Sequence, residues 1–205
     1  MMKKLVLLFL VLSILLLSCG KDTNEPFIPD PESDTPSAYN FKMHSMDKST
    51  VYLSNLMDKP VVLNFWASWC PPCKSEMPSF EEAYIEYGED VNFVMVSVDS
   101  SLSDARGLIS ESSYTFPAYH DAYSEGSYYY NVTSIPRTYF ITTDGAIVLS
   151  CTKAISKDTL CEGIEKLKEA EKILQEKLEK EEAEKEEAEK EDGEPVNEAQ
   201  SQIND

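Results

Sequence analysis

Cys70 and Cys73 bracket two prolines where an apolar run, Val61-Val62-Leu63-Asn64-Phe65-Trp66, gives way to helix-like sequence. Two cysteines three apart in a first helical turn point the same way and can close a small disulfide ring. A cysteine at a helix N-terminus meets unpaired backbone N–H groups and the positive end of the helix dipole. Both stabilise the thiolate and lower its pKa. The thiolate is the attacking species in disulfide exchange. Pro71 suits the first helical position, because its missing N–H would have had no partner there. These residues predict a redox dithiol in which Cys70 attacks and Cys73, one turn deeper, resolves.

Other uses of the pair fit less well. A zinc site needs four ligands, usually a second Cys pair or a His pair. The remaining candidates, Cys151, Cys161, His44 and His120, show no ligand spacing. A copper site would combine the Cys pair with a distant His44 or His120, although a lone histidine is more often a loop or packing residue. A purely structural bridge over three residues closes almost no loop and would stabilise little. No metal and no cofactor are expected.

The surrounding elements must hold this pair at a strand–helix junction. Val61–Trp66 reads as a buried strand, and the helix should run from Cys70 to about Tyr87, with Gly88 as its left-handed end residue. Val91–Val98 is a second buried strand, and Ser103 is placed to cap a helix reaching about Ser112. Thr138–Thr142 and Ala146–Ser150 flank Thr143-Asp144-Gly145, a hairpin turn signal. Ser156 opens a last helix. Tyr39 to Met57 alternates weakly and should add an N-terminal hairpin. The order β-α-β-α, hairpin, helix predicts an α/β fold with one central mixed sheet flanked by helices.

The stretch Leu63-Asn64-Phe65-Trp66-Ala67-Ser68-Trp69-Cys70-Pro71-Pro72-Cys73-Lys74-Ser75-Glu76-Met77-Pro78 resembles the thioredoxin superfamily. It is most similar to the membrane-anchored thiol–disulfide oxidoreductases of the TlpA/ResA type. Thr133-Ser134-Ile135-Pro136-Arg137-Thr138-Tyr139-Phe140-Ile141 looks like the cis-proline segment of that family. Thr115-Phe116-Pro117 and Asp144-Gly145 also follow in family order, so the resemblance covers about residues 39–170. It implies a thioredoxin-like fold and a redox disulfide Cys70–Cys73. Pro136 would be the cis proline facing the cysteines, leaving the backbone of Ile135 free to pair with an extended substrate. Trp69 would flank the site, its alternative being core packing. Glu76 would sit one turn after Cys73 and take part in its proton chemistry, the alternative being an ordinary solvated first-turn glutamate. Asn64 stands where thioredoxin carries a buried aspartate; an amide does not titrate, so that role is vacant. Peroxiredoxins share the outer fold but carry a threonine three residues before the reactive cysteine. Ala67 stands there and argues against peroxide reduction.

The ends belong to other functions. Lys3 and Lys4 followed by 13 residues, Leu5–Leu17, apolar except for Ser13, read as an export signal too short to span a bilayer. Leu16-Leu17-Ser18-Cys19 resembles a lipoprotein cleavage site, with Cys19 lipidated; ordinary secretion is the alternative. Residues 1–18 are then a signal peptide and 19–38 a flexible tether rich in proline and polar residues. Residues 39–178 form the domain, and 179–205 a charged helical extension with a disordered tail. Residues 162–205 hold 17 acidic and 7 basic residues, net −10 of the total −19. Glu176–Lys180 and Glu181–Lys185 offer i,i+4 support to the helix. The tail is either a helix running into solvent or a partner-binding helix, but its heptad pattern is brief. The acidic balance excludes a nucleic-acid partner. Cys151 and Cys161 remain as a possible structural disulfide, free thiols or a second redox pair.

Together these readings place the chain in a bacterial cell envelope, lipid-anchored and facing the periplasm, with inner or outer membrane left open. Disulfide-containing envelope proteins are the expected partners and a membrane thiol relay the expected electron donor, with cytochrome c maturation as one setting. An oxidant or isomerase, or a non-catalytic thioredoxin-fold binding module, are the alternatives.

Overall fold

A computed structural model describes residues 36–192. They form β1 (Lys42–Ser45), β2 (Thr50–Tyr52), a 3₁₀ turn (Leu53–Leu56), β3 (Val61–Trp66), α1 (Pro71–Tyr87), β4 (Asn92–Ser97) and α2 (Leu102–Ser112). The chain continues through β5 (Ala118–His120), α3 (Glu125–Tyr129), β6 (Arg137–Ile141), β7 (Ile147–Cys151) and α4 (Lys157–Asp192). The proposed signal peptide, most of the tether, Cys19 and the residues after Asp192 lie outside the described residues.

The strands make one mixed sheet in the order β2-β1-β5-β4-β3-β6-β7. β3 pairs in parallel with β4 and antiparallel with β6, so it lies inside the sheet with both faces covered. Its unbroken apolar sequence follows from that position. Side chains alternate across the pleat. Val62 and Trp66 enter a core with Met77 and Phe80 of α1, Phe93, Phe140, and Leu160, Ile164 and Leu167 of α4. Val61, Leu63 and Phe65 enter the opposite core with Phe41, Leu53, Tyr130 and Tyr139. Asn64 falls on the first face, a polar residue in an apolar row.

Several local expectations change. Gly88 ends α1 with φ −64°, not left-handed. A side chain there would meet the Tyr84 carbonyl oxygen at 2.6 Å, so crowding by the preceding turn, not backbone sign, requires glycine. Ser101, not Ser103, caps α2; its hydroxyl accepts from the Ser103 N–H. β5 was not foreseen, because three residues are too few to show a period, whereas the Tyr128-Tyr129-Tyr130 run, expected to be a half-buried helix end, closes α3. Gly145, in the predicted hairpin turn, has φ 92°. The Tyr128-Tyr129-Tyr130 run divides at the end of α3: Tyr130 is buried and Tyr128 80% exposed.

α4 runs along α1 and the sheet. Lys157 pairs with Glu82 near its start; Lys168 pairs with Asp90, and Glu171 accepts from Thr143, further along. Leu160, Ile164, Leu167, Leu174 and Leu178 recur along α4 as one apolar stripe, but packing stops before the stripe does: Leu167 is fully buried, whereas Leu178 is 41% exposed. Beyond Glu171 the helix carries the ion pairs Lys172–Glu176, Lys177–Glu181 and Lys180–Glu184. Lysine precedes glutamate in each, the reverse of the anticipated pairs and the weaker orientation. Ile164→Ala should therefore cost about 2–5 kcal/mol in urea unfolding, and Leu178→Ala less than about 0.5 kcal/mol.

Candidate active site

The site is assembled where β3 ends. Ala67, Ser68 and Trp69 turn the chain from the strand into α1. The Ser68 N–H and hydroxyl both donate to the buried Asp99 carboxylate, at 2.9 and 2.7 Å, and the Ser97 hydroxyl donates to it at 2.7 Å. His120 places Nε2 2.7 Å from the Asp99 carbonyl oxygen, and His44 packs edge-on against Tyr123. Asp99 thus fixes the loop that delivers the first cysteine, a role that its sequence position did not reveal.

Cys70 is the N-cap of α1, with extended backbone, and Pro71 and Pro72 begin the helix. The two sulfurs are bonded, with Cα atoms 5.3 Å apart. The Cys73 N–H donates to Cys70 Sγ at 3.2 Å. Cys70 is therefore the sulfur on which the unpaired end of the helix acts. It is 3% exposed and Cys73 is fully buried. The Ile135–Pro136 peptide bond is cis, and the Ile135 carbonyl oxygen lies 3.9 Å from Cys70 Sγ. Trp69 is 66% exposed and leaves a broad indole surface next to Cys70.

One turn further, Glu76 is buried, 3% exposed, on the sheet side of α1. This is not the solvated environment of an ordinary first-turn glutamate. Its Oε1 accepts from Asn64 Nδ2 at 3.0 Å and its Oε2 from the Ile155 N–H at 2.9 Å. Asn64 Nδ2 also donates to Thr138 Oγ1 at 3.0 Å. Burial raises the Glu76 pKa from about 4.5 to about 7, against the opposing pull of its Ile155 and Asn64 donors. A carboxyl with that pKa is suited to exchange protons near neutrality.

Asn64, Thr138 and Cys151 lie side by side across β3, β6 and β7. Register partners project to the same face, so Cys151 comes up beside Glu76. Its thiol pKa is raised by burial first and then by the Glu76 charge, with Arg137 opposing. The Asp144-Gly145 turn joins β6 to β7, and a register shift between Phe140 and Ile141 brings Thr138 opposite Cys151.

The possible Cys151–Cys161 bridge is not formed; both are free thiols. Cys151 interacts with Glu76, near the start of α1, whereas Cys161 acts on Tyr87 at its end. Those two positions are 11 residues apart, about 16 Å along a helix.

Residues 36–150 match the AhpC/TSA family. The thiol–disulfide oxidoreductase ResA of Oceanobacillus iheyensis is 38% identical over 160 residues, covering 76% of this chain and 82% of that protein. The chain belongs to the ResA-type thiol–disulfide oxidoreductases of the AhpC/TSA thioredoxin-fold family. ResA of Bacillus subtilis is 28% identical over 140 residues, covering 68% of this chain and 78% of that protein. Two solved structures share the fold. StoA from Bacillus subtilis has a TM-score of 0.55 at 25% identity and covers 63% of this chain and 99% of that one. The exposed lipoprotein thioredoxin of Streptococcus pneumoniae has a TM-score of 0.56 at 29% identity, with 63% and 98% covered. The Cys70–Cys73 disulfide at a helix start is the candidate redox centre, and Ala67 stands three residues before Cys70.

A carboxyl whose pKa is raised by folding binds its proton more tightly in the folded state. Its contribution to stability is complete below about pH 4.5 and is lost as the pH rises through about 7. Wild type should lose about 3 kcal/mol relative to Glu76→Gln between those limits. Urea unfolding of both oxidised proteins at pH 4 and pH 8 measures this; a pH-independent difference contradicts it.

Proposed function

We propose that this protein is a lipid-anchored reductant of disulfides in partner proteins of a bacterial envelope. The observation that carries the reading is a dithiol whose first sulfur caps α1 and whose second precedes a buried carboxyl by one turn. Cys70, as thiolate, attacks one sulfur of a partner disulfide, and the other partner sulfur leaves as thiolate. Cys73 loses its proton to Glu76, and its thiolate attacks Cys70 Sγ. The second partner sulfur leaves, so the partner gains two electrons and the Cys70–Cys73 disulfide forms. Trp69 and the Ile135–Pro136 segment supply the contact surface for the partner chain.

A membrane thiol relay returns the two electrons. The export-type N-terminus and Cys19 support the anchor and the envelope location, as does the name of the pneumococcal lipoprotein thioredoxin. Likeness to ResA supports apocytochrome cysteine pairs as one substrate class.

Three measurements test this. Cys73→Ser should accumulate a mixed disulfide with a disulfide-bonded Cys-Xaa-Xaa-Cys-His peptide through Cys70, whereas Cys70→Ser should accumulate none; trapping through Cys73 instead would reverse the roles. Equilibration with glutathione should give a potential near or below about −250 mV, and a value near about −120 mV would make the protein an oxidant. Cys19→Ala should move the protein from the membrane to the soluble fraction on cell fractionation.

A further inference from the structure

Glu76 has two oxygens, and each faces a nitrogen donor: Oε1 the Asn64 amide and Oε2 the Ile155 backbone. Both contacts suit a carboxylate, which only accepts. A carboxylic acid carries an O–H on one of these oxygens, and that O–H needs an acceptor, which neither neighbour presents to it. The Ile155 N–H belongs to the backbone and cannot become an acceptor. Asn64 can, because its side chain carries a donor on one arm and an acceptor on the other. That acceptor, Oδ1, is fully buried and has no hydrogen-bond partner among the described residues. A buried polar atom without a partner is costly and calls for an explanation.

We propose that Asn64 is a positioning residue whose amide turns over with the proton carried by Glu76. In the base form Nδ2 donates to Oε1 and to Thr138 Oγ1, as observed. When Cys73 gives its proton to Glu76, the O–H forms on Oε1. A half-turn of the Asn64 amide then brings Oδ1 to face it. Oδ1 accepts from Glu76, and the Thr138 hydroxyl, which accepted from Nδ2, rotates to donate. No electrons move in this step: one proton passes from sulfur to carboxyl, and the amide exchanges the atom it presents. The idle oxygen of the base form is the acceptor that the acid form needs, and Nδ2 becomes the idle group in its place. The position that offers no titrating group thereby gains a part in the proton transfer.

This inference rests on Glu76 receiving the Cys73 proton. Cys73 stands one turn before Glu76 on the same helix, Cys151 of β7 interacts with that carboxyl, and Arg137 of β6 acts on Cys151. The test uses the full chain in detergent micelles, reduced and labelled with ¹⁵N and ¹³C. The Asn64 side-chain NH₂ signals, identified by their loss in Asn64→Leu, should shift with the same pH midpoint as the Glu76 carboxyl carbon. The rate of mixed-disulfide resolution by Cys73 should follow that midpoint too. In Asn64→Leu its midpoint should rise by about one pH unit, because the carboxylate loses its side-chain donor while staying buried.

The outcomes separate two failures. If Glu76→Gln keeps the wild-type pH profile of resolution, the base role of Glu76 falls and this inference with it. If Glu76→Gln abolishes the titration but the Asn64 signals stay still as Glu76 titrates, Glu76 remains the base and the amide rotation is overturned. If Asn64→Leu does not fold, through-bond correlation of the side-chain NH₂ to the Asn64 Cβ and backbone assigns the wild-type signals, and those signals decide.

Discussion

A single buried carboxyl joins the parts of this protein that must move together. Glu76 projects from α1 and meets Asn64 of β3 on one side and the backbone just before α4 on the other. Burying a charge is expensive unless its hydrogen-bonding positions are filled. The helix that carries the dithiol is therefore tied to the sheet and to the last helix by a group that needs both. Lys157–Glu82 adds a second tie between α4 and α1 at the surface, where ion pairs are weak. The buried contact has the larger effect on geometry, and it is also the contact that senses pH.

The arrangement divides the work of the two cysteines. Cys70 lies where the helix end offers N–H groups and is next to the Ile135–Pro136 segment. Cys73 faces the interior. Cys70 receives the fixed backbone dipoles of the helix end, whereas Cys73 precedes the buried Glu76 by one turn. Fixed dipoles require no rearrangement during reaction. Beside the buried Glu76 the sheet presents a row of Asn64, Thr138 and Cys151.

Most of the fold was legible because its main elements are long and their patterns differ. β3 is apolar throughout, α1 begins at a proline pair and the β6–β7 turn carries Asp-Gly, and all three appear within a residue or two of their expected limits. The short β5 left no pattern to read, and of α3 only its tyrosine-rich end did. At the site, the cysteines, Pro136 and Glu76 stood out by spacing and resemblance. Asp99 and Thr138 did not, since each matters only through a partner far along the chain: Ser68 is 31 residues from Asp99, and Asn64 is 74 from Thr138. Asn64 looked like a lost aspartate until its amide was seen against Glu76. The exposure of Leu178 was hidden for a related reason: an apolar period shows which face of a helix is greasy, but not where its neighbour ends.

The direction of β6, β7 and α4 gives the molecule two poles. Pro36 and Ala38 hydrogen-bond at the Gly145 turn, the end of the sheet remote from Cys70. α4 starts beside Glu76 and reaches that same remote end at Glu171 before continuing to Asp192. The 21 residues from 172 to 192 extend about 31 Å as a helix and carry a net charge of −5. Both strands of connection to the rest of the chain thus leave from the pole opposite the dithiol. A large partner can approach Cys70 head-on without displacing either of them. Residues 172–192 thus concentrate negative charge on the side of the domain away from the sulfur.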